Sequence, residues 1–136
     1  MATRRSSPEN AVFLFNLQRA ESSLRDSRQQ LRQRDHIDAI EHAFRSAESA
    51  ISAFMLRHNP QADIPRTHRG LVTVLGRDYV KTGTAPKEWR RYLGRLNSLR
   101  EKFSYARLPE EAPSKADAVE AIHLAGDLLR SIKRRL

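Results

Sequence analysis

The 136-residue sequence predicts an all-α fold, an up-and-down bundle of about five helices in one domain. Three observations carry this expectation. Apolar residues recur at i, i+3, i+4 and i+7 through the longer segments, the rhythm that lines up one face of a helix. No stretch alternates apolar and polar residues as a half-buried strand would, and no internal repeat is present. Proline-marked breaks at 59–65, 81–86 and 108–113 cut the chain into pieces of helical length. A chain of this size buries roughly two-thirds of its unfolded surface, enough for one core without staples.

Residues 1–7, with Arg4 and Arg5, carry too little apolar surface to order themselves. They are expected to form a disordered basic tail ahead of a single helical domain over 8–136. Ser7, Pro8 and Glu9 make a helix start: a capping hydroxyl, a proline at the first position and an acid in the first turn. The first helix is predicted from Pro8 to about Arg34, with Val12, Phe13, Leu17, Ala20, Leu24 and Leu31 inward. Arg25, Arg28 and Arg32 share one of its outer faces. Asp35 restarts the pattern. Ile37, Ile40, Ala43, Phe44, Ala47, Ile51, Phe54 and Met55 form a stripe to about His58. Small residues at Ala39, Ala43, Ser46, Ala47, Ala50 and Ala53 would let a neighbour approach closely, which makes this the expected central helix.

A third helix is expected from about Arg66 to Val80, with Leu71, Val74, Leu75 and Tyr79 inward. Gly70 and Gly76 weaken it by up to ~1 kcal/mol each relative to alanine and point to a kink or to close packing. The fourth runs from about Pro86 to Ala106 on Trp89, Tyr92, Leu93, Leu96, Leu99 and Phe103. Ser114 and Asp117 resemble a capping box for the last helix, whose inward stripe is Val119, Ile122, Ala125, Leu128, Leu129 and Ile132. Arg130, Lys133, Arg134 and Arg135 end it, where cations suit the helix dipole.

Charge is the strongest compositional signal: 25 Lys and Arg against 16 Asp and Glu, a net +9, with arginine greatly outnumbering lysine. Arginine's planar fork suits phosphate and carboxylate. Such a surface favours polyanions, whether nucleic acid, an acidic protein or an anionic membrane. A solvated basic face with no dedicated ligand is the competing reading. The chain has no cysteine, which excludes disulfides, thiolate zinc sites and cysteine nucleophiles and fits a cytoplasmic setting. The longest apolar run, Ala11 to Phe15, falls far short of the ~20 residues of a spanning helix, so neither a membrane segment nor a signal peptide is expected.

Catalytic signatures are sparse. There is no Gly-rich phosphate loop, no Gly-x-Ser-x-Gly elbow and no His-Glu-x-x-His pair. Asp38 and His42 stand at metal-compatible i, i+4 spacing, but a metal site needs three or four ligands, so no metal or other cofactor is expected. His68, at a helix start, reads as structural. Asn16, His42, Arg45 and Glu48 are candidates for a buried polar cluster.

The order of features adds a resemblance. An alanine-rich helix with an aromatic (Ala43 to Ile51) is followed by a proline loop leading to Thr67-His68-Arg69-Gly70-Leu71. Next come Leu96-x-x-Leu99-Arg100-x-x-x-x-Tyr105 and the segment Lys115 to Ala125. Over about residues 10–135 this resembles the HEPN domain. The resemblance implies a bundle of four or five helices, commonly a homodimer. Its members include metal-independent ribonucleases and toxins, partners of nucleotidyltransferases, and inactive members that bind RNA or nucleotides. The ribonucleases carry an arginine followed four to six residues later by histidine. Arg100 matches that arginine, but Tyr105, Ala106 and Arg107 stand where the histidine would be. Without an imidazole there, no group in the motif moves the proton at the ribose hydroxyl, and Tyr105 is a poor substitute.

The expected function is therefore that of a non-catalytic HEPN-like binding or accessory protein. Its partner would be RNA or an acidic protein, of the toxin–antitoxin or nucleotidyltransferase-associated type. Arg25, Arg28, Arg32, Arg100, Tyr105, Arg130, Lys133, Arg134 and Arg135 are the candidate anion contacts. Arg100 would meet a phosphate while Tyr105 stacks on a base. The structural alternative has Tyr105 capping the bundle and Arg100 paired with Glu48 or Asp117. Two other functions remain open: a ribonuclease with a rearranged site using His42, His58 or His68, and a purely structural interaction module.

Overall fold

The computed structural model describes residues 8–136. The basic tail expected over 1–7, and with it the Ser7 cap, lies outside the described residues. Five α-helices follow in order: α1 (Pro8–Arg32), α2 (His36–His58), α3 (His68–Val74), α4 (Glu88–Phe103) and α5 (Lys115–Arg134). A π-helical stretch, Leu75–Val80, prolongs α3, and a 3-10 turn, Pro109–Glu111, precedes α5. No strand occurs among the described residues. The fold is the all-α bundle that the apolar periodicity predicted.

α1 stops at Arg32, two residues earlier than expected. Arg34 adopts the left-handed region at φ 64°, and its N–H bonds the Leu31 carbonyl. The Asp35 N–H then reaches the Gln30 carbonyl at 2.8 Å. This paired closure satisfies the last carbonyls of α1 and turns the chain. Asp35 caps α2 through the Asp38 N–H. α2 runs back along α1, and two fully buried serines tie the pair. Ser27 Oγ donates to the Ala39 carbonyl at 2.5 Å, and Ser46 Oγ to the Ala20 carbonyl at 2.6 Å. Their small size lets the two backbones come close enough for a side chain on one helix to bond the other.

α2 and α5 form the centre, and α1 and α4 each pack on both. α5 is antiparallel to α1, with Glu21 against Lys133 at 2.7 Å. It is antiparallel to α4 as well: Trp89 Nε1 donates to Ser131 Oγ at 2.9 Å, and Arg95 forms two bonds with Glu120. Alanines line the core along both α2 and α5, including Ala43, Ala47, Ala118, Ala121 and Ala125, all fully buried. Larger side chains complete the core. Phe54 meets Trp89 edge to face at 4.7 Å, with Tyr79 and His58 on its other sides. Ser114 and Asp117 form the reciprocal capping box at the start of α5.

Several expectations change. Val12 is exposed rather than inward, as are Leu14 and Phe15. The first turns of α1 lie beside the ends of α2 and α5, where Phe13 faces Arg57. Ile37, in the opening turn of α2, is also exposed. The third helix is not one α-helix to Val80: the Lys81 N–H bonds the Gly76 carbonyl, widening the turn. At Gly76 a β-carbon would come within 3.0 Å of Arg90 Nε, the close packing that its glycine foreshadowed. α4 begins at Glu88 and ends at Phe103, so Pro86 and Ala106 lie outside it.

Candidate nucleic-acid interface

The outer face of α1 is basic because its second half has few apolar residues to bury. Leu24, Ser27 and Leu31 take the inner side, leaving Arg25, Arg28 and Arg32 exposed on successive turns. Arg32 donates to Gln29 Oε1 at 2.7 Å. Among the described residues none of the three arginines makes an ion pair. Each keeps its full charge toward solvent.

The antiparallel pairing of α1 and α5 brings Arg130 to this face. Nη1 of Arg130 and Nη2 of Arg28 lie 3.5 and 3.8 Å from the point where a β-carbon would stand at Gly126. Around them is a notch of about 410 Å³ with Leu31, Ile122 and His123 in its lining. Asp127 also lines it and is ion-paired with Arg130. The rest of the expected C-terminal cluster disperses. Lys133 is taken up by Glu21, Arg135 lies over the Trp89 ring at 5.8 Å, and Arg134 borders a hollow beside Glu88 and Tyr92. Of the nine candidate contacts, the structure therefore groups Arg25, Arg28, Arg32 and Arg130.

Arg100 and Tyr105 sit elsewhere, at the end of α4. The Arg100 guanidinium lies over the Phe44 ring with its Cζ 4.4 Å from the centroid, and Nη2 donates to Asn97 Oδ1 at 2.8 Å. Its Nε is buried without a hydrogen-bond partner. Arg100 forms no ion pair with Glu48 or Asp117, although its charge acts on Glu48, and Tyr105 is 85% exposed rather than capping the bundle. Arg100 and Tyr105 do border one depression of about 350 Å³, but Asp38 and Glu41 line it too. Two carboxylates beside one guanidinium make it a poorer seat for a phosphate than the α1–α5 face.

Phe44 also meets His68, the two ring centroids 5.3 Å apart. His68 Nδ1 is 3.3 Å from Glu48 Oε2. Burial pushes the Glu48 carboxyl above its ordinary range, while the His68 hydrogen bond, the His68 charge and the Arg100 charge pull it back. The polar cluster expected from Asn16, His42, Arg45 and Glu48 does not form. Asn16 bonds the Val12 carbonyl, His42 Nδ1 lies 2.8 Å from Gln30 Oε1, and Arg45 faces Glu41. Among the described residues no group of three or more potential ligands could hold a metal ion. None of their helices is long and apolar enough to cross a membrane.

Sequence reasoning passed over Gly126, Asn97 and Ser27, and read Ser46 only as a small residue. Ser46 had a signal, since it stands within an alanine stripe where only small residues fit. Gly126 had none, because its effect depends on where α1 lies. Set against known proteins, the HEPN domain family profile matches residues 14–135. No curated protein matches the sequence. With the family match spanning nearly the whole helical bundle, the chain belongs to the HEPN domain family.

Proposed function

We propose that this HEPN domain is a non-catalytic RNA-binding protein whose ligand lies along the basic face of α1 and its junction with α5. The observation that carries the reading is the row of Arg25, Arg28 and Arg32, exposed and without an ion pair among the described residues. Three cations on successive turns of one helix track a phosphate backbone, and their solvation is replaced by phosphate oxygens as counterions leave. The missing histidine after Arg100 supports binding over cleavage. The domain is proposed to act as a homodimer, and as an accessory partner of the toxin–antitoxin or nucleotidyltransferase-associated type.

The test is anisotropy of a labelled single-stranded RNA across a salt series, with the RNA then run on a denaturing gel. The wild-type protein is expected to bind with a steep salt slope and leave the RNA intact. Reversing Arg25, Arg28 and Arg32 to Glu should flatten the slope by about 0.7 for each phosphate no longer neutralised. An unchanged slope would remove α1 from the site. Absence of binding at low salt would redirect the reading to an acidic protein partner.

One observation favours a second reading, a ribonuclease with a rearranged site. His68 and Arg100 both contact the Phe44 ring, and Glu48 Oε2 lies 3.3 Å from His68 Nδ1. A carboxylate-oriented imidazole is a candidate general base at a phosphodiester, and a guanidinium on the same aromatic ring could meet the phosphate charge. RNA cut on the same gel without added metal, and left whole by His68→Ala, would establish this reading in place of the first.

A further inference from the structure

We propose that the notch between α1 and α5 binds a phosphomonoester, the terminal phosphate of an RNA strand or of a free nucleotide. For the RNA source the proposal rests on the RNA-binding reading above. Two guanidinium groups define the site. Arg28, from α1, and Arg130, from α5, both come within 4 Å of the vacant β-carbon position at Gly126. Gly126 is buried in the body of α5, and without a side chain there both guanidinium groups come down to the helix backbone. Arg28 has no ion-pair partner among the described residues, and Arg130 has Asp127. Two cations this close repel each other, and one carboxylate offsets only one of them. An anion between the two forks relieves the remainder.

The shape and donor count select the anion. Each guanidinium is a planar fork able to bind two oxygens. Two forks are matched by a phosphomonoester, with three terminal oxygens and close to two charges at neutral pH. A bridging phosphodiester offers two free oxygens and one charge. The notch, about 410 Å³, falls in the size range of small-molecule pockets. Its Leu31 and Ile122 wall and the His123 ring give a sugar and base something to pack against.

The test uses the full chain and two short single-stranded RNAs of one sequence, labelled at the 3′ end, with either a 5′-phosphate or a 5′-hydroxyl. AMP and adenosine serve as competitors at fixed salt. The phosphorylated RNA is expected to bind more tightly, and AMP to displace it where adenosine does not. Arg28→Ala and Arg130→Ala should each weaken AMP binding by about tenfold or more. Asp127→Asn should act in the opposite direction, tightening AMP binding a few-fold by removing a negative charge from the rim and freeing Arg130. Because Asp127 is exposed, this variant keeps the test decisive if an arginine variant folds poorly, as helical circular dichroism would report.

The outcomes separate the two readings. Equal binding of both RNAs with no competition by AMP overturns the notch and leaves RNA binding standing. AMP binding that depends on Arg28 and Arg130, with neither RNA bound, upholds the notch for a free nucleotide and sinks the RNA reading. AMP binding unchanged or weakened by Asp127→Asn overturns the notch.

Discussion

Burial raises the Glu48 carboxyl above its ordinary value of 4.5, and the His68 bond and the Arg100 charge only partly reverse this. A carboxyl whose pKa is higher in the folded state binds more protons folded than unfolded in the interval between the two values. Its stabilising effect is then complete below the unfolded value and is lost as pH rises through the folded one. Glu48→Gln keeps an acceptor for His68 and removes the titration, so it should flatten stability across the weakly acidic range. Denaturant midpoints of both proteins from about pH 4 to 7 check this. Asp38, also raised, and Asp117 and Glu120, both lowered, are common to the two proteins, so the difference between the curves belongs to Glu48 and its bond with His68. A difference independent of pH would refute the assignment. The contrast with the basic face shows what single residues reveal in sequence. Arg25, Arg28 and Arg32 were legible as a row, because spacing along one helix fixes their common face. Glu48 with His68, and Arg28 with Arg130, were not, because each pair spans elements whose relative placement no local pattern contains.

The turn between α1 and α2 rests on a residue ill suited to it. Arg34 sits at φ 64° where glycine is the usual occupant, and a side chain there costs about 1 kcal/mol. Arg34→Gly should therefore stabilise the hairpin by up to about 1 kcal/mol, less the entropy that glycine adds to the unfolded chain. Thermal denaturation followed by circular dichroism measures it, and a lower midpoint would show that the Arg34 side chain and the added entropy of glycine together outweigh the backbone strain. The same turn explains why the end of α1 was misjudged. Nothing in the string Arg32-Gln33-Arg34 announces a left-handed residue, whereas a glycine would have. The start of α5 was legible because a capping box is local, its bonds joining Ser114 to Asp117 alone. The π-helical stretch after Val74 was hidden for a different reason: one wider turn over Leu75–Val80 barely alters an apolar repeat this short.

The bundle as a whole depends on α2 and α5 being narrow enough to meet, so that α1 and α4 can each lean on both. The alanine stripe of α2 forecast that centre, while the choice of α5 as its partner became visible only with the helices assembled. Trp89 locks the last of these contacts. It is fully buried, packs edge to face on Phe54 of α2 and donates to Ser131 of α5, joining three helices through one side chain. Trp89→Phe keeps most of the apolar contact and loses the hydrogen bond, a loss of about 1 to 2 kcal/mol. Trp89→Ala opens a cavity at the junction and should cost about 3 to 5 kcal/mol. Against a total of about 5 to 15 kcal/mol for a domain of this kind, the alanine variant would lose a large share of its stability. Trp89 is also the only tryptophan, so in the wild-type chain its fluorescence follows the docking of α4 while circular dichroism follows all the helices. If α2 and α5 bind α1 and α4 into one cooperative unit, the two signals share a single denaturation midpoint. Fluorescence falling ahead of helicity would mean that α4 detaches first, and the large effect expected of Trp89→Ala would then be confined to that helix.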